Sequence, residues 1–123
     1  VADEAPVAHL QADPMQIKAC LMNVVLNAIQ AMPAGGRLRI TAAAGSGTAD
    51  ITVSDTGPGI SEENLNRIFN PYFTTKKLGI GLGLVITKKV VEEHRGRITV
   101  RSRPNEGTDV VISLPVEHVE VAV

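Results

Sequence analysis

The chain has 123 residues, of which 44% are hydrophobic, 20% charged and 2% aromatic, and its net charge is -1. That balance suits one globular domain with an aliphatic core, and it excludes chain-wide disorder and a bulk affinity for nucleic acid. Cys20 is the single cysteine, so an internal disulfide and a Cys-rich metal site are excluded; no apolar run reaches bilayer length and no signal peptide is visible.

The whole of residues 1–123 reads as one domain, with a core at about 8–115 and a frayed tail at 116–123. The chain starts on Val1, as an excised piece of a longer protein would. Residues 5–11 alternate weakly and suggest an edge strand. Asp13-Pro14-Met15-Gln16 is a helix start: Asp13 caps, Pro14 takes the first helical position, and Gln16 stands where a capping box returns its amide. The helix runs to about Met32 and stops at Pro33, with Ile17, Leu21, Val24, Val25, Ala28 and Ile29 as its apolar stripe.

After an Ala34-Gly35-Gly36 turn, residues 37–44 and 49–54 read as a hairpin closed by Ala44-Gly45-Ser46-Gly47. Asp55 to Gly59 is a Gly-Pro-Gly loop, and Ser61 caps a short helix behind it. Residues 71–81 are irregular. Gly81 to His94 reads as a helix with Leu82, Val85, Ile86 and Val90 on one face and His94 capping its end. Residues 97–103 and 108–114 form a second hairpin around Pro104-Asn105-Glu106-Gly107. Arg95, Arg97, Arg101 and Arg103 alternate there and read as a solvated face. The order implies an α+β fold: a two-layer sandwich with a mixed, mostly antiparallel sheet covered by helices on one face.

Three features carry chemistry. Asn23 and Asn27 stand at i and i+4 on the first helix, with Gln30 nearby. Asn competes with the helix backbone, so two on one face need a reason. They are either a polar stripe or neutral oxygen donors for a hard cation such as Mg²⁺ and phosphate oxygens. Asp55-Thr56-Gly57-Pro58-Gly59 places a carboxylate at a strand end, either capping a tight turn or accepting from an exocyclic amine. Gly79-Ile80-Gly81-Leu82-Gly83-Leu84 runs into a helix, where free N–H groups favour an anion. It is neither a dinucleotide fingerprint, since Leu84 breaks the spacing, nor a Walker-type phosphate loop. Thr75 and Lys76 precede it and suit phosphate oxygens, while Phe69 and Phe73 suit a hydrophobic anchor.

Order and spacing give these features a collective meaning. Leu21 to Ala28 resembles the N box of histidine kinases, Asp55 to Ile60 the G1 box, Ile68 to Lys76 the F box, Gly79 to Leu84 the G2 box, and Gly107-Thr108 a short G3 motif. The resemblance covers about residues 8–115 and implies a Bergerat-type ATP-binding fold, shared by gyrase-like ATPases, heat-shock chaperones, mismatch-repair ATPases and histidine kinases. It implies Asn27 and Asn23 as Mg²⁺ ligands. It implies an ATP site of Asn23, Asn27, Gln30, Ala31, Asp55, Gly57, Gly59, Ile60, Tyr72, Thr74, Thr75, Lys76, Gly79, Gly81, Leu82, Gly83, Leu84 and Thr108. Asp55 would accept from the adenine amino group, and Lys76 and the backbone of 81–84 would hold phosphates under a lid. Ile80, Leu78 and the shortness of residues 74–80 depart from the family pattern and imply a short, stiff lid.

Hydrolysing relatives usually carry Glu where this chain has Asn23, and an amide is no general base near neutral pH. The resemblance therefore implies a protein histidine kinase: Mg-ATP would donate its γ-phosphoryl group to a histidine on a separate dimerisation domain of the same parent, in two-component signalling with a response regulator downstream. His9, His94 and His118 are followed by Leu10, Arg95 and Val119, not by the acidic residue typical of the acceptor. The chain alone is accordingly expected to be monomeric, unable to autophosphorylate, and cytoplasmic, whether or not its parent is membrane-anchored. An anti-sigma-type serine-protein kinase and a degenerate regulatory domain are the alternative readings.

Overall fold

The computed structural model describes residues 13–45, 47–69 and 82–115, with only the backbone described for Leu82 and Gly83. The strand expected over 5–11, the irregular stretch at 71–81 and the tail at 116–123 lie outside the described residues.

Helix α1 spans Pro14–Gln30. The Asp13 carboxylate accepts the Met15 N–H at 2.9 Å, and Pro14 occupies a position whose N–H would have no helical partner. Gln16 does not close the expected capping box, because the Asp13 N–H donates instead to His94 Nε2 at 3.1 Å. The helix ends with Ala31 N–H on the Asn27 carbonyl, slightly before the expected stop at Met32.

Among the described residues four strands follow the helix in one sheet of spatial order β1-β2-β4-β3: β1 (Leu38–Ala44), β2 (Thr48–Asp55), β3 (Arg97–Ser102) and β4 (Thr108–Pro115). All three pairings are antiparallel, so among the described residues the expected mixed sheet has no parallel pair. A short α2 (Glu62–Leu65), capped by the Ser61 hydroxyl, and α3 (Leu82–Glu93) separate β2 from β3. The chain thereby lays β4 between β2 and β3.

Period-two alternation turns Val53, Val110, Ile112 and Leu114 toward the helices, with Ile98 and Val100 partly buried beside them. Helix α1 contributes Ile17, Cys20, Val24 and Ala28, spaced three or four apart so that they share a face. Leu21 and Val25 flank that face, and Ile29, expected on the stripe, is exposed. Helix α3 buries Leu84, Thr87 and Val91. The expected face of Leu82, Val85, Ile86 and Val90 is thus rotated: Ile86 is 54% exposed, Val85 and Val90 are half-buried, and the Leu82 side chain is outside the described residues. Docking against α1 selects the face, since apolar residues surround α3 and periodicity alone does not choose among them.

Burial raises the Cys20 thiol pKa above its ordinary value, and the neighbouring Thr87 hydroxyl offsets this in part. That contact falls short of hydrogen-bond geometry, so among the described residues Thr87 Oγ1 is fully buried without a partner. No described helix is long and apolar enough to cross a membrane.

Candidate functional site

Between α1 and the sheet lies a partly enclosed pocket that opens to solvent. Its walls follow from the periodicities above. Val24, Asn27, Ala28 and Ala31 form one helical face, and Val53, Asp55, Val100, Thr108 and Val110 come from neighbouring strands. Gly59, Ile60 and Leu84 complete the lining. The surface is mostly apolar, and three polar groups stand in it: the Asn27 amide, the Asp55 carboxylate and the Thr108 hydroxyl. A slot of that kind suits a flat apolar ligand with a few hydrogen-bonding edges.

Asp55 is the last residue of β2 and faces inward because Val53, two residues earlier, does. The antiparallel register sets it opposite Thr108. Its Oδ1 accepts the Gly57 N–H at 2.8 Å. Desolvation raises the Asp55 pKa above the usual carboxylate value. The Gly57 and Thr108 backbone N–H groups pull it back, and Asp109 adds a small push upward. Among the described residues no cation lies within ion-pair distance of it. A half-buried carboxylate without a cation is available to accept a ligand N–H.

The loop after Asp55 is held by the β3–β4 turn. The Asn105 N–H donates to the Pro58 carbonyl at 2.6 Å, and the Ile60 N–H donates to Ser102 Oγ at 2.7 Å. Two glycines permit the close approach. Gly59 has φ +76°, and a Cβ there would overlap the Arg103 carbonyl; Gly107 has φ +82°, and a Cβ there would overlap the Asp55 carbonyl. On the other side, Thr56 Oγ1 accepts the Arg37 N–H at 2.9 Å.

Of the residues expected from sequence, Asn27, Ala31, Asp55, Gly59, Ile60, Leu84 and Thr108 meet in this one cavity. Gly57 stands behind Asp55 and donates to it. Asn23 is half-buried one turn before Asn27 on the same helix but does not line the cavity. Gln30, the last residue of α1, is exposed and lies outside it as well. Tyr72, Thr74, Thr75, Lys76, Gly79 and Gly81 lie outside the described residues, and Leu82 and Gly83 contribute the backbone of the first turn of α3.

Sequence reasoning missed two parts of the site. Val24 and Ala28 read from sequence only as part of the apolar stripe of the first helix, and Val53, Val100 and Val110 only as strand residues. Ser102 was not singled out, although a polar residue continuing the inward series Ile98, Val100 is a period-two signal. Its Oγ also donates to the Gly107 carbonyl at 2.9 Å and lies 2.7 Å from Thr108 Oγ1.

Among the described residues Asn27 Nδ2 is buried without a hydrogen-bond partner. Buried amides are normally satisfied, so this side chain fits a group that arrives from outside. Its oxygen is of the class a hard cation takes, and Asn23 offers a second amide one turn away.

A family model described as histidine kinase-, DNA gyrase B-, and HSP90-like ATPase matches residues 12–118. Sensor histidine kinase ZraS of Escherichia coli strain K12 is 43% identical over 108 residues, covering 88% of this chain and 23% of that protein. Sporulation kinase A of Bacillus subtilis strain 168 is 41% identical over 107 residues, covering 87% of this chain and 18% of that protein. The chain thus spans about a fifth of the length of these relatives. Among solved structures, a nucleotide-free catalytic domain of histidine kinase ThkA superposes with a TM-score of 0.75 at 40% identity, covering 85% of this chain and 69% of that one. The mycobacterial sensor histidine kinase MprB does so with a TM-score of 0.76 at 31% identity, covering 88% of this chain and 75% of that one.

Proposed function

Because the chain belongs to the family of histidine kinase-, DNA gyrase B-, and HSP90-like ATPases, we propose that its cavity takes the adenine of ATP and that the chain is the catalytic module of a sensor histidine kinase. The observation that carries this reading is the Asp55–Thr108 pair at the end of a mostly apolar slot. The Asp55 carboxylate accepts from the adenine amino group, and Gly57 and Gly59 shape the loop around the base. Ala31, Ile60 and Leu84 pack against it.

Asn27 and Asn23 would hold Mg²⁺, with Gln30 at the margin of the site. The ion, when bound, draws charge from the phosphate oxygens. Lys76, with Tyr72, Thr74, Thr75 and the glycine-rich run Gly79, Gly81, Leu82 and Gly83, is assigned to the phosphates and their cover. The N-terminal backbone of α3 adds donors for the same anionic group.

The acceptor is a histidine on a dimerisation domain elsewhere in the parent. Its imidazole nitrogen forms a bond to the γ-phosphorus as the bond to the β–γ bridging oxygen breaks, and ADP leaves. This chain positions the nucleotide and neutralises charge, which is most of what phosphoryl transfer asks of a protein. Asn23, an amide, does not activate water, which favours transfer over hydrolysis. A response regulator then receives the phosphoryl group. The isolated chain is assigned as a monomer working in the cytoplasm, without nucleic acid. The serine-kinase and degenerate-domain alternatives gain no support from relatives such as sensor histidine kinase ZraS.

Calorimetric titration with ATP, with and without Mg²⁺, tests the reading. Asp55→Asn should lower affinity in both conditions, and Asn27→Asp should change chiefly the Mg²⁺ dependence. Wild-type affinity in both variants would sink the site assignment.

A further inference from the structure

We propose that Ser102 is a positioning residue that fixes the Thr108 hydroxyl as a pure hydrogen-bond acceptor, and so makes the cavity select a 6-amino over a 6-oxo purine. The proposal rests on the adenine reading above and deepens it.

Protons decide the matter. Ser102 Oγ has three neighbours: the Ile60 N–H at 2.7 Å, the Gly107 carbonyl at 2.9 Å and Thr108 Oγ1 at 2.7 Å. A hydroxyl has one proton and two lone pairs. The Ile60 amide can only donate, which occupies one lone pair. The Gly107 carbonyl can only accept, so the one Ser102 proton goes there. Were that proton given to Thr108, the Gly107 carbonyl would face an oxygen lone pair at 2.9 Å, a repulsive contact in a half-buried place. Thr108 therefore donates its own proton to the second lone pair of Ser102, and all three Ser102 bonds are made.

The consequence falls on the ligand side. Thr108 lines the cavity with only lone pairs left to offer, and the Asp55 carboxylate opposite it also only accepts. Two acceptors on one edge of the slot favour a group that carries two N–H bonds. A primary amine on the purine supplies them, and a carbonyl at the same place meets repulsion from both sides. Sites built this way discriminate by leaving buried polar groups unpaired with the wrong ligand. Ser102 touches no ligand; it acts through Thr108 and, by holding Ile60, through the loop.

The test compares ATP with inosine triphosphate, its 6-oxo counterpart, by calorimetric titration of this chain. Ser102→Ala frees the Thr108 proton to turn toward the ligand, so the ATP-to-inosine-triphosphate affinity ratio should fall by about 3- to 10-fold, the worth of one hydrogen bond. Thr108→Val should also lower the ratio, because ATP loses an acceptor and the 6-oxo ligand loses a repulsion. In the Thr108→Val background, Ser102→Ala should leave the ratio unchanged. Equal weakening of both nucleotides by Ser102→Ala would overturn the proposal and leave Ser102 as a loop anchor only. Should Ser102→Ala fail to fold, Thr108→Val still decides: an unchanged or raised ratio overturns the assignment of Thr108 as an acceptor. A wild-type chain that binds neither nucleotide would overturn the adenine reading itself, whereas normal ATP binding with an unaltered ratio would overturn only the role of Ser102.

Discussion

His94 Nε2 accepts the backbone N–H of Asp13 at 3.1 Å, while His94 Nδ1 lies 2.7 Å from the Val90 carbonyl. The carbonyl can only accept, so Nδ1 holds the proton and the ring is the Nδ1–H tautomer. One imidazole thus caps the end of α3 and satisfies the amide at the start of α1. His94→Ala removes both bonds and should lower stability by about 1–2 kcal/mol. Denaturant unfolding followed by circular dichroism would measure it, and an unchanged midpoint would show that the bridge contributes nothing net.

Asp55 carries a pH signature. Its folded pKa is raised from 3.8, chiefly by desolvation, so the folded state favours its protonated form. The associated stability is fully present below 3.8 and is lost as pH rises through the folded value. At neutral pH the ionised group therefore opposes folding. Asp55→Asn should keep or raise the unfolding midpoint at pH 7 while weakening ATP binding. The wild type should gain on the variant as pH falls toward 3.8. A variant that is less stable at neutral pH, with unaltered ATP affinity, would contradict both halves.

Thr87 offers a stabilising substitution. Its hydroxyl is buried without a partner among the described residues, and Val has nearly the same shape. Thr87→Val should raise stability by about 1 kcal/mol or more by removing an unpaired polar group. Thermal melts of both proteins would decide; a lower melting temperature would mean that the Cys20 contact is worth more than its geometry suggests.

Gly59→Ala and Gly107→Ala should each destabilise by about 2 kcal/mol or more, since both positions combine positive φ with a backbone overlap. Gly35→Ala is the informative control. It also has positive φ, but a Cβ there meets nothing within 4 Å, so its cost should be smaller and nucleotide affinity should persist.

How far the sequence reaches is clear from particular residues. Asp13-Pro14 announces α1 because capping chemistry is local, and Asp55 is legible because a carboxylate closes an alternating strand just before a loop that no regular element tolerates. Ser102 and His94 reveal their partners only in three dimensions: Ser102 meets Ile60 across 42 positions and His94 meets Asp13 across 81. No local rule links residues so far apart. The buried face of α3 is hidden from the sequence for a related reason. Its apolar residues nearly encircle it, and the choice of Leu84, Thr87 and Val91 is made by α1 and the sheet. Gln16 failed as a cap partner because a residue 81 positions away reached the same amide first.

Strand β1 is exposed along its whole length, and its hairpin with β2 closes at Gly45–Gly47, far in register from the Asp55 end that lines the cavity. The turn between β3 and β4 is the opposite case, since it forms the back wall of the loop beside Asp55. The two hairpins therefore differ in what protein engineering can do with them. New termini or an inserted fluorescent reporter placed at the β1–β2 tip should leave the cavity intact, whereas the same graft at Pro104–Glu106 would pull the wall away. The exposed hairpin is thus the natural handle for attaching a probe that reports occupancy without altering it.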